Sequence, residues 1–391
     1  MGGKHVNHRQ LVKENRKRRK KRKVISGLLI ALVTLILVYF TGIYGTSLAY
    51  FGDFLSSGMT LVQFGKGWPV EKDMTGMRQA EKMGTGLAVL TNDQMLVYSP
   101  TGKQIMAYSH SMSNPAIAVS STRAVLYDLD ETTFKVMNGH NMLFQQEMEN
   151  SIVHIAISNS NRIAVTTHSS THNGEVTVFN YNMNKRFTWY CATGYPIYSR
   201  ISSNGKKLAV ATVNTRGGLL ESSIYVIDAA DSQELYSIDS GNFPMYMTFI
   251  KDRTLLIGYS GKIVLWDVDN NTQKAEYTLS GYLQAMDHHN QSVALVVGSM
   301  DDNRPSTLIL LDNRLNQKGT ARLSEGAKGV LINKSRTYVL GMNTLYEFDK
   351  DLNLVNTAPT GKLARKLVDF HGVKLIDSTG IKKVEKTDKK D

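Results

Sequence analysis

The sequence predicts an all-β, eight-bladed β-propeller preceded by one transmembrane α-helix, with a seven-bladed ring as the alternative. Three observations support this prediction. A turn motif recurs at intervals near 40 residues, the chain beyond residue 76 alternates short apolar runs with polar turns, and residues 24–44 form a long uncharged stretch. A period of about 40 residues with four strands in each unit is typical of a propeller blade.

Charge is concentrated at the amino terminus. Residues 1–23 contain eleven Lys and Arg against one acid, Glu14, so the rest of a chain with net charge +12 carries only +2. A nearly neutral domain has no cationic excess with which to neutralise phosphates, which excludes nucleic acid as its partner. The single cysteine, Cys191, excludes a disulfide scaffold, and we expect it to be a small buried hydrophobe.

Residues 24–44 predict a transmembrane helix. They are rich in Leu, Ile and Val, and a helix of this length covers about 32 Å, which matches the hydrocarbon core of a bilayer. A cleaved signal peptide is the alternative, although its apolar core usually has only about 7 to 15 residues. The helix would be an uncleaved, single-pass anchor in the cell membrane.

A run of basic residues comes directly before this stretch and predicts a cytoplasmic amino terminus with an extracytoplasmic propeller. The run consists of Arg16, Lys17, Arg18, Arg19, Lys20, Lys21, Arg22 and Lys23. Two interpretations remain open: it sets topology alone, or it also binds anionic lipid headgroups.

This topology divides the chain into five parts. They are a basic cytoplasmic tail (1–23), the transmembrane helix (24–44), a juxtamembrane tether (45–75), the propeller (76–386) and a charged end (387–391). We expect the tether to be partly extended and to supply the strand that closes the ring, from residues 59–64 or from residues 68–70, because closure removes exposed sheet edges.

The repeat is marked by an apolar residue that ends a strand, followed by Asp, Asn or Ser. These polar side chains accept hydrogen bonds from backbone amides two residues on, which closes a tight turn. The motif occurs at Tyr98-Ser99, Met137-Asn138, Phe179-Asn180, Ile227-Asp228, Trp266-Asp267, Leu311-Asp312, Phe348-Asp349 and Ile376-Asp377. The last spacing is only 28 residues, so blade 8 would contribute three strands, and Ile376-Asp377 would close a turn between its second and third strands.

On these strands and turns, residues 60–386 resemble the WD40-like and quinoprotein-like propellers. With the basic tail and the single helix, the chain also resembles a family of membrane-anchored proteins from Gram-positive anaerobes that is known only as a domain of unknown function. The resemblance implies a propeller held outside the cell.

Motifs for catalysis are missing from the sequence. It contains no H-E-x-x-H, no G-x-S-x-G, no phosphate-binding G-x-x-x-x-G-K-[ST] and no cysteine pair for zinc. We therefore expect no catalytic residue, no cofactor and no metal. The favoured function is a non-enzymatic scaffold or receptor for an envelope protein or a cell-wall polymer. The alternative is an extracytoplasmic hydrolase or lyase that uses acidic residues at the propeller funnel.

A candidate binding surface follows from the lengths of the connections. When strands are lettered A to D outward from the axis, B–C and D–A connections share one face, and those within 167–175, 214–223 and 298–306 are long B–C loops of blades 3, 4 and 6. The loop candidates are Arg216, Leu219, Leu220, Glu221, Asp301, Asp302 and Arg304, and the D–A aromatic candidates are Tyr195, Phe243 and Tyr282. The loops either bind or are merely long, and the aromatic side chains either contribute to recognition or wedge between blades.

Overall fold

The computed structural model describes residues 46–61, 63–230, 232–239, 241–301, 303–361 and 363–385. These residues form eight four-stranded antiparallel sheets, which are the blades of the propeller. The eight-bladed prediction is confirmed. The predicted transmembrane helix, the basic run and the charged end lie outside the described residues, and no described helix is long and apolar enough to cross a bilayer.

One helix and 32 strands make up the described secondary structure. Helix α1 is Thr46–Leu61 and strand β1 is Val70–Glu71. Strands A to D of blade 1 are Met77–Met83, Gly86–Thr91, Gln94–Tyr98 and Gln104–Ser109, and those of blade 2 are Pro115–Val119, Ala124–Asp128, Thr133–Met137 and Met142–Glu147. Strands A to D of blade 3 are Ile152–Ile157, Ile163–Thr167, Gly174–Phe179 and Lys185–Cys191. Those of blade 4 are Tyr195–Ile201, Lys207–Arg216, Leu219–Asp228 and Glu234–Asp239.

Blades 5 to 8 follow the same order. Strands A to D of blade 5 are Pro244–Phe249, Thr254–Tyr259, Lys262–Asp267 and Thr272–Thr278, and those of blade 6 are Tyr282–His289, Ser292–Gly298, Ser306–Asp312 and Gln317–Leu323. Those of blade 7 are Ala327–Asn333, Arg336–Gly341, Thr344–Phe348 and Leu354–Pro359. Blade 8 consists of Ala364–Asp369, Val373–Asp377 and Gly380–Lys383, with β1 as its fourth strand. The core lies between neighbouring blades. Strand B is therefore buried on both faces, as in Gly86–Thr91, where all six residues are buried. For this reason the sequence of a strand B is a nearly continuous apolar run.

The polar residue of the repeat motif closes the C–D turn, as predicted. In blade 5, Asp267 Oδ1 accepts the amide of Asp269 at 3.0 Å, and in blade 6, Asp312 Oδ1 accepts that of Arg314 at 2.8 Å. In blade 8 the motif residue Asp377 ends strand B instead, and its Oδ1 accepts the amide of Thr379. The predicted B–C turn at Ile376-Asp377 is thus confirmed.

The ring is closed by β1 in the outer position of blade 8. Val70 pairs with Ile381 and Glu71 with Gly380, antiparallel. Of the two predicted sources for this strand, the stretch near residues 68–70 contains its first residue, Val70, whereas residues 59–61 form the last turn of α1. Gly380 has φ of 150°, and a Cβ there would lie 2.1 Å from the carbonyl oxygen of Val70, so close pairing requires glycine.

The predicted tether is helical over residues 46–61, which was not expected, and non-helical over residues 63–75, which include β1. From Asp53 onward, α1 packs on A–B and C–D turns of blades 1 to 3. Arg123, in the A–B turn of blade 2, donates from Nε to Asp53 Oδ2 at 2.7 Å, and both side chains are buried. Ser56 Oγ lies 3.0 Å from His140 Nδ1. The sequence periodicity of β-strands says nothing about such long-range polar contacts.

Candidate functional site

The predicted loop at 214–223 is a β-hairpin rather than an irregular loop. Strands B and C of blade 4 continue to Arg216 and from Leu219, and Gly217 and Gly218 form the two-residue turn with φ of 60° and 82°. Two central residues with positive φ are the requirement of a type I′ hairpin, which glycine meets without strain. The neighbouring strands A and D stop pairing at Val213 and Ser223, so the hairpin tip projects from the B–C/D–A face.

Leu219 and Leu220 at this tip are both about 70% exposed, but they lie on opposite faces of the hairpin. Side chains alternate along a strand, and Ile224 of the same strand packs between blades 4 and 5, whereas Ile227 packs between blades 3 and 4. Leu220 therefore lies on the blade 5 side with Ile224, and Leu219 on the blade 3 side. Ser222, also on the blade 5 side, donates its hydroxyl to the Asn242 carbonyl.

The three D–A aromatic residues are exposed and do not wedge between blades. Tyr195, Phe243 and Tyr282 stand at or beside the start of strand A in blades 4, 5 and 6, each about half exposed. Two methionines that sequence reasoning missed lie on the same face. Together with Leu220 these form the apolar arc, which consists of Tyr195, Leu220, Phe243, Met245, Tyr282 and Met300. Leu219 is exposed on the other side of the hairpin and is not part of the arc.

The same face has a polar half, and strand A explains the division. In every blade except blade 2, strand A carries a β-bulge near its first residue, which re-aims one side chain. In blades 6 to 8 the bulged residue joins each blade to the next. Gln284 Oε1 of blade 6 accepts the Ala327 amide of blade 7 at 3.1 Å, and Lys328 Nζ of blade 7 donates to the Ala364 carbonyl of blade 8 at 3.1 Å. Arg365 Nη1 of blade 8 donates to the Met77 carbonyl of blade 1 at 3.4 Å.

In blades 3 to 5 the bulged residues are Val153, Ile197 and Met245, which have no polar group to form such a link. The exposed apolar side chains of the arc belong to blades 4, 5 and 6. The sequence signal for this pattern is the type of the residue one or two positions after the start of each strand A. It can be identified only once the register of every strand is known.

The charged candidates form ion pairs within their own loops. Arg216 Nε lies 3.6 Å from Glu221 Oε2, and Arg304 Nε lies 3.4 Å from Asp301 Oδ2. All four side chains are largely in solvent, where such pairs contribute little to stability. Asp302 lies outside the described residues. Within the described residues, the two ion pairs therefore frame the apolar arc without adding a net charge to it.

The long connection of blade 3 contains His172, whose ring lies 4.7 Å from that of Tyr190, centre to centre. Its Nδ1 is 2.9 Å from Thr171 Oγ1. Within the described residues, no three His, Cys, Asp or Glu side chains come together as metal ligands. Cys191 follows at the end of strand D, buried as predicted, and burial raises the pKa of its thiol to about 11.

Ionisable residues also line the inner strands around the axis. His154 of blade 3 has Nδ1 3.2 Å from Ser199 Oγ and Nε2 3.5 Å from Nη1 of Arg200. Asp287 of blade 6 accepts the Ile332 amide of blade 7 on Oδ2 at 2.7 Å, and burial raises its pKa. A carboxylate bound to the backbone of the next blade has a structural role, so Asp287 gives no specific support to the hydrolase alternative.

His154 makes the stability of the propeller pH-dependent. Burial, assisted by the Arg200 guanidinium, lowers its pKa from 6.5 to about 3. The unfolded chain then binds one more proton than the folded chain below pH 6.5, so this contribution is complete above pH 6.5 and is lost as pH falls, by up to about 1.4 kcal/mol per pH unit. We expect His154→Gln to remove this slope from urea unfolding free energies measured between pH 6.5 and 5. An equal slope in both proteins would contradict the assignment.

Comparisons with known proteins fit this geometry. A model described as a family of unknown function, DUF5711, matches residues 66–384, and no curated protein sequence matches the chain. BamB from Moraxella catarrhalis has a TM-score of 0.56 at 10% identity over 80% of this chain and 97% of its own. Sqt1 from Chaetomium thermophilum, solved bound to the N-terminus of the ribosomal protein L10, has a TM-score of 0.56 at 14% identity over 79% and 96%.

A third neighbour carries the name of an enzyme. It is the dihydro-heme d1 dehydrogenase NirN in complex with DHE, with a TM-score of 0.57 at 14% identity over 73% of this chain and 67% of its own. At such identities the likeness shows the fold alone. It confirms the resemblance to WD40-like and quinoprotein-like propellers.

Proposed function

The chain belongs to the DUF5711 family, whose function is unknown, and we propose that it is a non-enzymatic, membrane-anchored scaffold whose propeller binds an envelope protein. The observation that carries this proposal is the apolar arc. Clustered exposed apolar and aromatic side chains on a folded domain mark interaction sites, and such anchors dominate binding energy. The Sqt1 structure supports the same use of the fold, since it contains a bound protein segment.

The anchor and the orientation belong to the proposal. The supporting observation is that residues 24–52 contain 29 consecutive uncharged residues after the basic run, as expected of an uncleaved membrane helix. Asp53 and Ser56 then contact the A–B and C–D turns. With the chain entering on that face, the apolar arc on the opposite face points away from the membrane and is accessible to an envelope protein or a cell-wall polymer.

The two faces of the hairpin provide a matched test of the arc. We expect a photo-crosslinking residue at Leu220, Phe243 or Met300 to capture one and the same protein in living cells, and the same probe at Asp228 or Asp312 in the opposite turns to capture none. Once that protein is purified, Leu220→Glu should weaken its binding by about 30-fold or more, as for a hot-spot side chain worth about 2 kcal/mol.

The matched control is Leu219→Glu, because Leu219 has the same exposure on the other side of the hairpin. Comparable losses from both substitutions would indicate a partner that clasps the whole tip. Capture of wall fragments would assign the arc to a polymer instead. Equal labelling from both faces, with no loss of affinity, would refute the scaffold proposal.

A further inference from the structure

Over residues 52, 53 and 56–61, whose side chains the structure describes, helix α1 has the reverse of the usual amphipathic arrangement. The buried side chains there are polar: Asp53, Ser56 and Thr60, at helical spacing, are each less than 8% exposed. Its exposed large side chains are apolar, namely Met59 and Leu61, and Phe64 follows at 76% exposure. A helix on the surface of a soluble domain buries its apolar stripe and presents charged residues to water, so the outward side of this helix is not adapted to water.

Charge strengthens this conclusion. The helix sequence, TSLAYFGDFLSSGMTL, contains a single charged residue, Asp53, and that residue is buried against Arg123. The exposed surface of α1 therefore carries no charged side chain over its 16 residues. The next charged residue along the chain is Lys66.

The turns around α1 differ from those on the rest of the same face. The A–B and C–D turns of blades 1 to 3 contain no acidic residue and include Lys103, Arg123 and Arg162. The corresponding turns of blades 4 to 7 contain both signs. The acids are Asp228, Asp252, Asp267, Asp269, Asp312, Asp349 and Asp351, and the bases are Lys206, Lys251, Arg253, Arg314, Lys334 and Lys350. The first sector therefore presents no carboxylate to an anionic phospholipid surface, whereas the second presents seven.

We propose that the outward side of α1, with Phe64 and the turns of blades 1 to 3, rests on the lipid bilayer. The chain outside the described residues favours this occupant, because the uncharged residues 24–44 end two residues before α1 begins. An apolar helix surface at the level of the headgroups is typical of interfacial helices. The inference rests on the proposed membrane anchor, and it adds that the propeller lies against the membrane through one sector.

Site-specific labelling of the full chain tests this contact. Cys191 is buried with a raised thiol pKa, so a cysteine introduced by Met59→Cys or Phe64→Cys can be labelled selectively with a fluorophore. The chain is reconstituted in vesicles of phosphatidylcholine and phosphatidylglycerol. We expect these labels to lose quenching by aqueous iodide and to gain quenching by spin-labelled lipid, whereas labels from Leu219→Cys and Lys350→Cys remain open to iodide.

A second variant tests the apolar surface itself. Leu61→Asp, added to the labelled Phe64→Cys chain, should restore iodide quenching while the chain still floats with the vesicles. Flotation with the vesicles separates the proposed membrane anchor from the proposed bilayer contact. A chain that does not float refutes both proposals. A floating chain whose labels at 59 and 64 are as open to iodide as the label at 219 refutes only the bilayer contact. Shielding from both quenchers would show a protein occupant and also overturn it.

Discussion

Replacing Arg123 with methionine is expected to detach residues 53–61 from the propeller. The guanidinium donates to Asp53 and to the Tyr181 carbonyl at 2.7 Å each, and it lies 3.8 Å from the centre of the Tyr181 ring. The Tyr181 hydroxyl donates to Asp53 as well, at 2.5 Å. Arg123→Met leaves a buried carboxylate without its cation, which costs about 3–5 kcal/mol. Hydrogen exchange of the amides in residues 53–61 should rise to the rate of an undocked segment.

The double variant Asp53→Leu with Arg123→Met separates charge from packing. Replacing a buried ion pair by apolar residues is often neutral or stabilising, so this chain should recover most of the protection lost in Arg123→Met. Arg216→Met is the matched exposed control, because its ion pair with Glu221 is in solvent and contributes about 0–1 kcal/mol. Unchanged exchange in Arg123→Met would show that the helix is held by other contacts.

Replacing Trp68 with alanine is expected to open the seam between the first and last blades. The indole lies 6.4 Å from the ring centres of both Tyr98, in blade 1, and Phe370, beside blade 8, and its Nε1 donates to the Pro100 carbonyl at 2.8 Å. Removing a packed aromatic side chain of this size costs about 3–5 kcal/mol. The urea midpoint should fall, and exchange should increase in β1 and in Gly380–Lys383.

Trp68→Phe is the conservative control at this seam. It keeps an aromatic ring between the two blades and loses the hydrogen bond to Pro100, which contributes about 1 kcal/mol, together with part of the ring packing. We expect its urea midpoint to lie much closer to that of the parent than to that of Trp68→Ala. If both variants unfold at the parent midpoint, the ring is closed by the backbone pairing of Val70 with Ile381 alone.

Local chemistry explains what could be predicted about the blades. Asp267 closes its turn with amides two and three residues away, so residue type and spacing alone place the end of each strand C. Strand B is buried on both faces, as in Leu255 and Leu256, and this burial imposes the apolar runs. The period of about 40 residues then predicts eight blades, with seven as the alternative, because one set of four strands recurs with each motif. The structure contains eight.

The binding face could be predicted only in part. The long connections identified Leu219 and Leu220, but their opposite directions depend on the register that places Ile224 against blade 5. The sequence did not predict that Met245 and Met300 are exposed, because a methionine near the end of a strand is equally compatible with a buried position in the core. Their exposure is a consequence of the bulge and of the loop path, neither of which the sequence marks.

By itself, the sequence determined the all-β class, the recurring four-stranded unit and the face on which the long connections lie, because these depend on contacts between residues near one another in the chain. It offered two stretches for the closing strand, and the pairing of Val70 with Ile381 decided between them. Only the tertiary structure decided that α1 turns polar side chains toward the propeller and that Arg123 meets Asp53 across 70 positions. Burial of a charge requires its partner, and no local pattern specifies a partner that the folded ring alone brings near.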